Sequence, residues 1–367
     1  LALILFWHIL NDLILNFIYI KKIRVHYKLF ICYSIFNLFQ FQTTTMVKQA
    51  ENVKRNTFEN LQPPDFVWKS GKFIPWDKAT FHISMLGWSS INMVFEGIRA
   101  YYNDNDDQVY VLHLNEHLNR LTESMKMMRM HPYIETEKLK EVILELIRKN
   151  KYRADTYIMP LAYFGDGPPG FLPSGDRIGD MAITAKPIDS LLTSNNTLNV
   201  GVSSWRRISD DVMPPRIKSI ANYQNGRYAA EEARINGYDQ SLILNSKGKV
   251  AESTYTCVFM IKNKTLITPS VTSGILDSIT RKSIIEISKN ELGLNVEERD
   301  VDRTEFYVSD ESFICGTGGE VQFIGKIDGY TIGKGTPGII SKEIQTLYHN
   351  LVRGLDHRYS HWRTPTY

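Results

Sequence analysis

The chain has 367 residues, of which 43% are hydrophobic and 23% charged, and its formal net charge is +3. This length is enough for two domains of ordinary size, and a charge so near balance gives no argument for a nucleic-acid partner. The three cysteines, Cys32, Cys257 and Cys315, are odd in number and widely spaced. They predict neither a disulfide framework nor a metal site, and a reducing, cytoplasmic compartment is the simpler expectation.

Residues 1–45 differ from the rest of the chain. The first 20 are apolar at nearly every position and are followed by Lys21-Lys22-Ile23-Arg24. A bilayer takes roughly 20 apolar residues, but Asp12 lies mid-span, where an acidic side chain costs about 3 kcal/mol. Because the chain begins with Leu and Met46 opens a polar segment, we expect residues 1–45 to be an upstream extension and 46–65 an N-terminal tail. A targeting or anchoring segment is the alternative, and no membrane is expected for the core protein.

Residues 66–186 alternate between strand and helix patterns, which predicts a small α+β domain. The expected elements are a hairpin at 66–76, strands at 94–101, 108–112, 157–164 and 180–185, and helices at 114–128 and 136–150. The next stretch, 187–197, is rich in Ser, Thr and Asn and is typical of an interdomain linker.

Residues 198–354 predict a larger second domain. The expected elements are strands beginning at 198, at 241–244, 250–261, 265–268 and 311–315, with helices at 224–236, 277–292 and 338–353. Asp277 or Ser278 is positioned to cap the second helix, and Gly354 ends the third. Residues 355–367 are expected to form a C-terminal tail.

One lysine lies in an extended, mostly apolar stretch, Ile217-Lys218-Ser219-Ile220-Ala221-Asn222-Tyr223. A lysine forms a Schiff base with a carbonyl only when its ammonium group loses a proton, which an apolar pocket promotes. Considered alone, Lys218 is more simply a solvated surface charge. The motifs around it favour the reactive role.

Four motifs occur in order along the chain: 94–101 with 116–120, Lys218 with Tyr223, 251–253, and 279–281 with 315–320. Their sequences, among them Phe-Glu-Gly-Ile-Arg and Cys-Gly-Thr-Gly-Gly-Glu, resemble those of the class IV aminotransferases. These are the fold-type IV enzymes that depend on pyridoxal 5'-phosphate. The branched-chain amino acid aminotransferases are the nearest branch, and the resemblance covers residues 66–354. It implies a smaller N-terminal α/β sandwich and a larger C-terminal β-barrel-like domain with helices.

The resemblance implies a cofactor-binding set. Lys218 is the catalytic residue that holds the cofactor covalently and moves a proton, Tyr223 hydrogen-bonds its phenolic oxygen, and Glu252 lies beside its pyridine nitrogen. Four positions serve the phosphate of the cofactor, Arg120, Ile279, Thr280 and Thr317, and Leu276 is a further cofactor-binding position. Each of three residues also has a purely structural interpretation. Arg120 is then a helix-surface arginine, Tyr223 a core aromatic residue and Glu252 a solvated glutamate.

The resemblance also implies substrate-binding positions. Convergent backbone N–H groups of the turn Gly316-Thr317-Gly318 receive the α-carboxylate of the substrate. Phe95, Trp88, Tyr101 and Met159 are expected to line an apolar side-chain pocket, and Gly97 is a further substrate-binding position. The loop 165–170 is a candidate lid.

Two departures from the family pattern concern the substrate. Many branched-chain members have, at the position of Met159, an arginine that receives the distal carboxylate of glutamate. The stretch 253–259 also replaces the more usual Gly-x-Gly-Glu/Asp-Asn. Because of these changes, the sequence does not decide which amino acceptor is used or how this wall of the site is built.

The expected reaction exchanges an amino group between a branched-chain L-amino acid and 2-oxoglutarate by a ping-pong mechanism. The alternatives are a D-amino acid or (R)-amine transaminase of the same fold, an aminodeoxychorismate-type lyase, and a non-catalytic binding protein. The expected partners are small amino and oxo acids and further copies of the chain, as a homodimer or higher homo-oligomer.

Overall fold

A computed structural model describes residues 63–164 and 177–367, and each of its two sheets has nine strands among these residues. The predictions for residues 1–62 and for the loop 165–170 lie outside the described residues, as does the side chain of Trp88. Helices and sheets are mixed along the chain, which confirms the predicted α+β class.

The first sheet is built mainly from residues before the predicted linker. Its order is β18-β5-β4-β7-β8-β1-β2, with β3 paired to β7 and β6 to β8. The elements are β1 (Phe66–Lys69), β2 (Lys72–Pro75), α1 (Ile83–Ile91), β3 (Val94–Phe95), β4 (Ile98–Asn103), β5 (Gln108–Leu112), α2 (Leu114–Met127), β6 (Met130–Pro132), α3 (Thr136–Lys149), β7 (Thr156–Tyr163), β8 (Arg177–Pro187) and the distant β18 (Arg363–Pro365).

The second sheet follows after residue 196. Its order is β11-β10-β9-β16-β15-β12-β13-β14, with β17 paired to β16. The elements are β9 (Thr197–Arg206), α4 (Ile220–Ile235), β10 (Gln240–Leu244), β11 (Val250–Ser253), β12 (Cys257–Lys262), β13 (Thr265–Thr268), α5 (Ile279–Asn290), β14 (Asn295–Glu298), α6 (Arg303–Tyr307), β15 (Glu311–Gly316), β16 (Glu320–Ile327), β17 (Tyr330–Thr331) and α7 (Ile339–Arg353).

Amphipathic helices cover the two sheets. Helix α2 buries Leu118 and Leu121, and α3 buries Ile143 and Leu146, in one cluster with the strands of the first sheet. Each such side chain contributes about 1.5–3 kcal/mol when it leaves water. The helices therefore fix the sheets on which the site residues lie.

Several element boundaries differ from the sequence prediction. The predicted strand 94–101 is interrupted at Glu96 and Gly97, and the predicted strand 250–261 is interrupted at 254–256. Helix α4 begins at Ile220, because the side chain of Ser219 caps it by accepting from the N–H of Asn222 at 3.3 Å. Among the residues described, no helix is both long and apolar enough to cross a bilayer.

Candidate active site

A cavity of about 320 Å³ is lined by residues of both sheets. The first sheet contributes the interruption between β3 and β4 and a residue of β7. The second contributes the segment before α4, the β11–β12 connection, the start of α5 and the turn between β15 and β16. The lining side chains used below are Phe95, Gly97, Arg120, Tyr157, Arg207, Lys218, Tyr223, Glu252, Leu276, Thr317 and the glycines around it.

The backbone of Lys218 is fixed by the first sheet and by α2. Its carbonyl accepts the N–H of Phe95 at 2.9 Å, and its own N–H donates to Oγ of Ser124 at 3.2 Å. An isolated bridge pairs the next residue, Ser219, with Val94 of β3. These contacts direct the lysine into the cavity from a rigid edge.

The amine of Lys218 is buried among aromatic groups. Nζ lies 2.5 Å from the hydroxyl of Tyr223 and 4.5 Å from the centroid of the Phe95 ring, and the residue is only 8% exposed. Burial lowers the pKa of Lys218, which the nearby Glu96 carboxylate partly opposes. A larger share of the amine is therefore uncharged and nucleophilic at neutral pH.

Tyr223 is held beside the lysine by ring contacts. Its ring meets that of Phe95 edge to face at 4.8 Å and stacks on Tyr255 at 5.8 Å. Burial raises the pKa of Tyr223, and Glu252 adds to this. The hydroxyl therefore keeps its proton and remains available as a hydrogen-bond donor.

Glu252 on β11 presents a buried carboxylate that is already partnered. Nη2 of Arg207 lies 2.7 Å from Oε1, and the N–H of Leu276 donates to Oε2 at 3.2 Å. Burial raises the pKa of Glu252, and the Arg207 guanidinium opposes that rise. Arg207 thus holds a charge-bearing carboxylate inside the cavity wall.

Arg120 lines the cavity and belongs to a buried triad with Glu96 and His117. Its Nε and Nη2 donate to the two oxygens of Glu96 at 2.7 and 2.8 Å, and Nη1 donates to the carbonyl of Asp277 at 2.8 Å. Nδ1 of His117 lies 2.7 Å from the same Glu96 carboxylate. Arg120 and His117 hold the pKa of Glu96 well below its usual range despite burial. The fork of Arg120 is therefore fixed in position before any ligand arrives.

The N-terminus of α5 lies beside the turn between β15 and β16. Ser278 caps the helix by accepting from the N–H of Arg281 at 3.2 Å, which confirms one of the two predicted caps. The Oγ1 atoms of Thr280 and Thr317 are 3.4 Å apart. The free N–H groups of the first turn, at Ile279 and Thr280, favour an anion there.

Two glycines of the turn Gly316–Gly319 have little room for a side chain. A Cβ on Gly316 or Gly319 would lie 3.1 Å from Cγ2 of Thr256. All four residues of the turn line the cavity. Glycine therefore lets the backbone approach the cavity closely, as a carboxylate-binding turn requires.

Two predicted substrate residues lie elsewhere. The hydroxyl of Tyr101 is buried and donates to Oε1 of Glu320 at 2.9 Å, and Tyr101 does not line the cavity. Met159 is half-buried on β7, two residues after Tyr157 and so on the same face of the sheet, but it also lies outside the cavity lining. Ile279 and Thr280 do not line the cavity and form the first turn of α5 beside it.

Sequence reasoning missed several lining residues, among them Tyr157 and Arg207. Tyr157 covers Gly97, where a Cβ would lie 2.0 Å from its hydroxyl oxygen. Arg207 follows directly after an exposed arginine, Arg206, and nothing local distinguishes the two. Only the tertiary contact with Glu252 reveals its place.

The donor set fits pyridoxal phosphate. A buried amine with a lowered pKa suits a covalent bond to an aldehyde, and a buried carboxylate suits a ring nitrogen. An arginine fork and a helix N-terminus suit a phosphate. These groups line or adjoin one cavity.

The family model described as amino-transferase class IV matches residues 93–327. The chain belongs to this family. The predicted resemblance is thereby confirmed, together with the aminotransferase class of enzyme and pyridoxal 5'-phosphate as its cofactor.

Similar proteins support the family assignment over most of the chain. A probable branched-chain-amino-acid aminotransferase of Aquifex aeolicus is 39% identical over 305 residues, which are 83% of this class IV chain and 97% of the relative. The branched-chain amino acid aminotransferase of Thermobaculum terrenum, solved in its PLP form, is 44% identical with a TM-score of 0.80, covering 83% of this chain and 99% of that one. The branched-chain aminotransferase of Thermoproteus uzoniensis, solved with norvaline, is 33% identical with a TM-score of 0.77 and covers 83% and 100%.

Proposed function

We propose that this class IV aminotransferase exchanges the amino group between a branched-chain L-amino acid and 2-oxoglutarate in two ping-pong half-reactions. The observation that carries the proposal is the buried amine of Lys218, which is hydrogen-bonded to Tyr223. Both residues line the same cavity as Glu252 and the Gly316–Gly319 turn. The relatives described above are named branched-chain aminotransferases, and this chain matches nearly their full lengths. That agreement supports the choice of donor.

Lys218 has two tasks in this reaction. Its Nζ would hold the cofactor covalently and, when free, would move a proton at the substrate α-carbon. When bound, pyridoxal phosphate supplies an aldehyde carbon that exchanges amines and a ring that accepts the electron pair from the α-carbon. The contact with Tyr223 keeps the amine oriented when it is free.

The other residues of the cavity would hold and orient the cofactor. Glu252, with Arg207 behind it, would hold the protonated ring nitrogen, and Tyr223 would donate to the ring oxygen. Arg120, Thr317 and the N–H groups at the start of α5 would hold the phosphate. Since Glu252 is 6% exposed, its interaction with a ring nitrogen is little weakened by water.

The donor side chain would contact apolar groups of the cavity. Phe95 and Ile217 are both buried and line the cavity, as does Leu276. The α-carboxylate would bind backbone N–H groups of the Gly316–Gly319 turn. An aliphatic side chain on one side and a carboxylate on the other fit leucine, isoleucine and valine.

The distal carboxylate of 2-oxoglutarate lacks an obvious partner in the described part of the cavity. The cations that line it there are Arg120, Arg207 and Lys218, which already contact Glu96, Glu252 and Tyr223. Met159 carries no charge. We therefore expect a weaker interaction with 2-oxoglutarate than an arginine at position 159 would give.

A panel of amino donors tests the proposal. L-leucine, L-valine, D-alanine and 1-phenylethylamine are each offered with 2-oxoglutarate, and glutamate formation is measured. We expect turnover with both branched-chain L-amino acids. Turnover of the amine or of D-alanine alone would replace the branched-chain proposal with the corresponding rival, and pyruvate release from aminodeoxychorismate would favour the lyase.

We also propose a homodimer or a larger homo-oligomer. Helix α1 exposes Ile83 by 77%, Leu86 by 49% and Ile91 by 51%, and apolar side chains clustered in this way are typical of a contact surface. Light scattering of the wild type and of a Leu86→Glu variant tests this. A wild type of monomer mass would contradict it.

A cytoplasmic location is proposed from the cysteine pair. Cys257 and Cys315 lie opposite each other on β12 and β15, and both are free. Neighbouring thiols that remain unlinked are typical of a reducing compartment. Cell fractionation would test the location directly.

A further inference from the structure

Glu320 follows directly after the Gly316–Gly319 turn and is 1% exposed. Its backbone has φ of +51°, in the left-handed region that non-glycine residues rarely adopt. Such a conformation persists when surrounding contacts determine it.

The carboxylate of Glu320 is bonded from two directions. Oε1 accepts the hydroxyl of Tyr101 at 2.9 Å, and Oγ of Ser190 donates to the same oxygen at 2.9 Å. The N–H of Leu191 donates to Oε2. Tyr101 belongs to β4, while Ser190 and Leu191 belong to the connection between the two sheets.

Arg99 completes this network. Its Nη2 lies 3.7 Å from Oε2 of Glu320, and the arginine is 1% exposed. The same Nη2 donates to the carbonyl of Gly318 at 3.4 Å, and the guanidinium also donates to the carbonyls of Ile188 and Asp189 at 3.3 and 3.2 Å. One buried ion pair thus joins β4, the connection at 188–191 and the turn.

The contact with Gly318 has a consequence for the next peptide group. A trans peptide places its N–H opposite its carbonyl, so the N–H of Gly319 points away from Arg99. Arg99 lies outside the cavity lining, whereas Gly319 lies within it. Fixing the carbonyl behind the turn therefore directs a backbone donor toward the cavity.

We propose that Glu320 and Arg99 are positioning residues that hold the Gly316–Gly319 turn in the conformation that binds the substrate carboxylate. The inference rests on the proposed function, because that function places the carboxylate at this turn. The connection at 188–191 takes part, since its backbone and Ser190 form hydrogen bonds with both charged groups. Buried charges are costly unless each is paired and hydrogen-bonded. The Glu320 carboxylate and the two terminal nitrogens of Arg99 have such partners, whereas Nε of Arg99 has none among the described residues.

The test is Glu320→Gln in the holoenzyme, with L-leucine as substrate and 4-methylpentanoate, a carboxylic acid without an amine, as the binding probe. Contacts made equally in the bound and transition states affect KM rather than kcat. We expect KM for leucine and the dissociation constant of 4-methylpentanoate to rise together by about tenfold, with kcat within about threefold of the wild type. The cofactor absorbance spectrum should stay unchanged.

Two milder variants keep the test decisive if Glu320→Gln folds poorly. Arg99→Lys replaces a planar fork by a single point charge, and Ser190→Ala removes one of the bonds to the carboxylate. Both should raise the same two constants, by about threefold. Glu311→Gln is the matched control, because Glu311 lies at the other end of β15 and accepts from the N–H groups of Ile340 and Ser341.

Unchanged binding of 4-methylpentanoate by the Glu320 and Arg99 variants would overturn the inference, as would an equal rise in the Glu311 control. Failure of the wild type to transaminate leucine would instead contradict the proposed function. If the wild type turns over leucine and the Glu320→Gln variant differs from it only in unfolding temperature, the ion pair has a purely structural role and the inference is wrong.

Discussion

The hydroxyl group of Tyr223 lies 2.5 Å from Nζ of Lys218; Lys218 is buried and Tyr223 is half-buried. Burial lowers the pKa of the lysine and raises that of the tyrosine. The proton between them therefore stays with the tyrosine more readily than it would in water. A larger share of the lysine is therefore a neutral amine than would be in water at the same pH.

Lys218→Ala removes this amine and should reduce the rate of transamination at least about a thousandfold, since both the covalent anchor and the proton carrier are lost. The measurement is glutamate formation from leucine, together with mass spectrometry of a borohydride-treated digest. The wild-type peptide containing Lys218 should carry the reduced cofactor. Lys289→Ala, at an exposed position on α5, is the control. A Lys218→Ala variant with the full rate would end the proposal.

Arg207→Met should move the acid limb of the kcat/KM profile to higher pH. Burial raises the pKa of Glu252, and the Arg207 guanidinium at 2.7 Å opposes that rise. Without the arginine the pKa rises further, so the carboxylate takes up a proton at a higher pH and the active form is lost earlier as the pH falls. The profile between pH 5 and 9 measures this. Arg206→Met, at the exposed neighbouring position, should leave it in place.

Met159→Arg should lower KM for 2-oxoglutarate by about tenfold, because a guanidinium pairs with a carboxylate through two hydrogen bonds. Met159 lies on the same face of β7 as Tyr157, which lines the cavity. KM for 4-methyl-2-oxopentanoate, which has no distal carboxylate, is the internal control and should not fall. Equal changes in both constants would place the distal carboxylate away from position 159.

Gly97→Ala should destabilise the fold by about 1–3 kcal/mol and reduce activity, because the added methyl group would lie 2.0 Å from the hydroxyl oxygen of Tyr157. Tyr157→Phe in the same chain should relieve this only in part, since the ring carbon Cζ would still be 2.8 Å away. Urea denaturation gives the free energies of unfolding.

Gly87→Ala is the matched control for that experiment. A methyl group there would meet nothing within 4 Å, and the residue lies inside α1. Alanine favours a helix over glycine by about 1 kcal/mol, so this variant should be more stable than the wild type. A similar loss of stability in both variants would show that the contact with Tyr157 is not the cause.

The free energy of unfolding should fall between pH 7.5 and 5.5, partly through His117. Burial lowers the pKa of His117 below its usual value, so in this range the unfolded chain binds more protons than the folded chain. Stability therefore rises with pH and is lost as the pH falls. His117→Gln should reduce this loss, as measured by urea denaturation at a series of pH values.

The control for this pH effect is His357→Gln, at an exposed position. It should follow the pH dependence of the wild type. Equal slopes for His117→Gln and the wild type would mean that other groups account for the change.

The periodic helices and most strands were predictable from the sequence, because their apolar faces repeat at regular spacing. Helix α1 was not predicted, and several of its apolar residues are exposed rather than gathered on a buried face. The break at Glu96 was also missed, because the flanking residues read as one continuous strand. Its cause is the pairing of Glu96 with His117 and Arg120, which lie 21 and 24 residues away.

Within the site, the resemblance named Lys218, Tyr223 and Glu252, and the structure brings all three to one cavity. Their roles remain predictions for the experiments above. Tyr101 was expected in the pocket, but its hydroxyl bonds to Glu320, which lies 219 residues further along the chain. A local pattern carries no information about a partner so distant. Arg207 was missed for the same reason.

Strand β18 gives the first sheet an unusual assembly order. Arg363–Pro365 pair with Tyr110–Leu112 of β5, and the N–H of Thr366 donates to Gln108 across 258 residues of chain. During translation, β5 leaves the ribosome long before its neighbour exists. Its unpaired backbone edge is then open to other chains, and a strand edge of this kind promotes aggregation. Release of the nascent protein before residue 366 would leave that edge exposed.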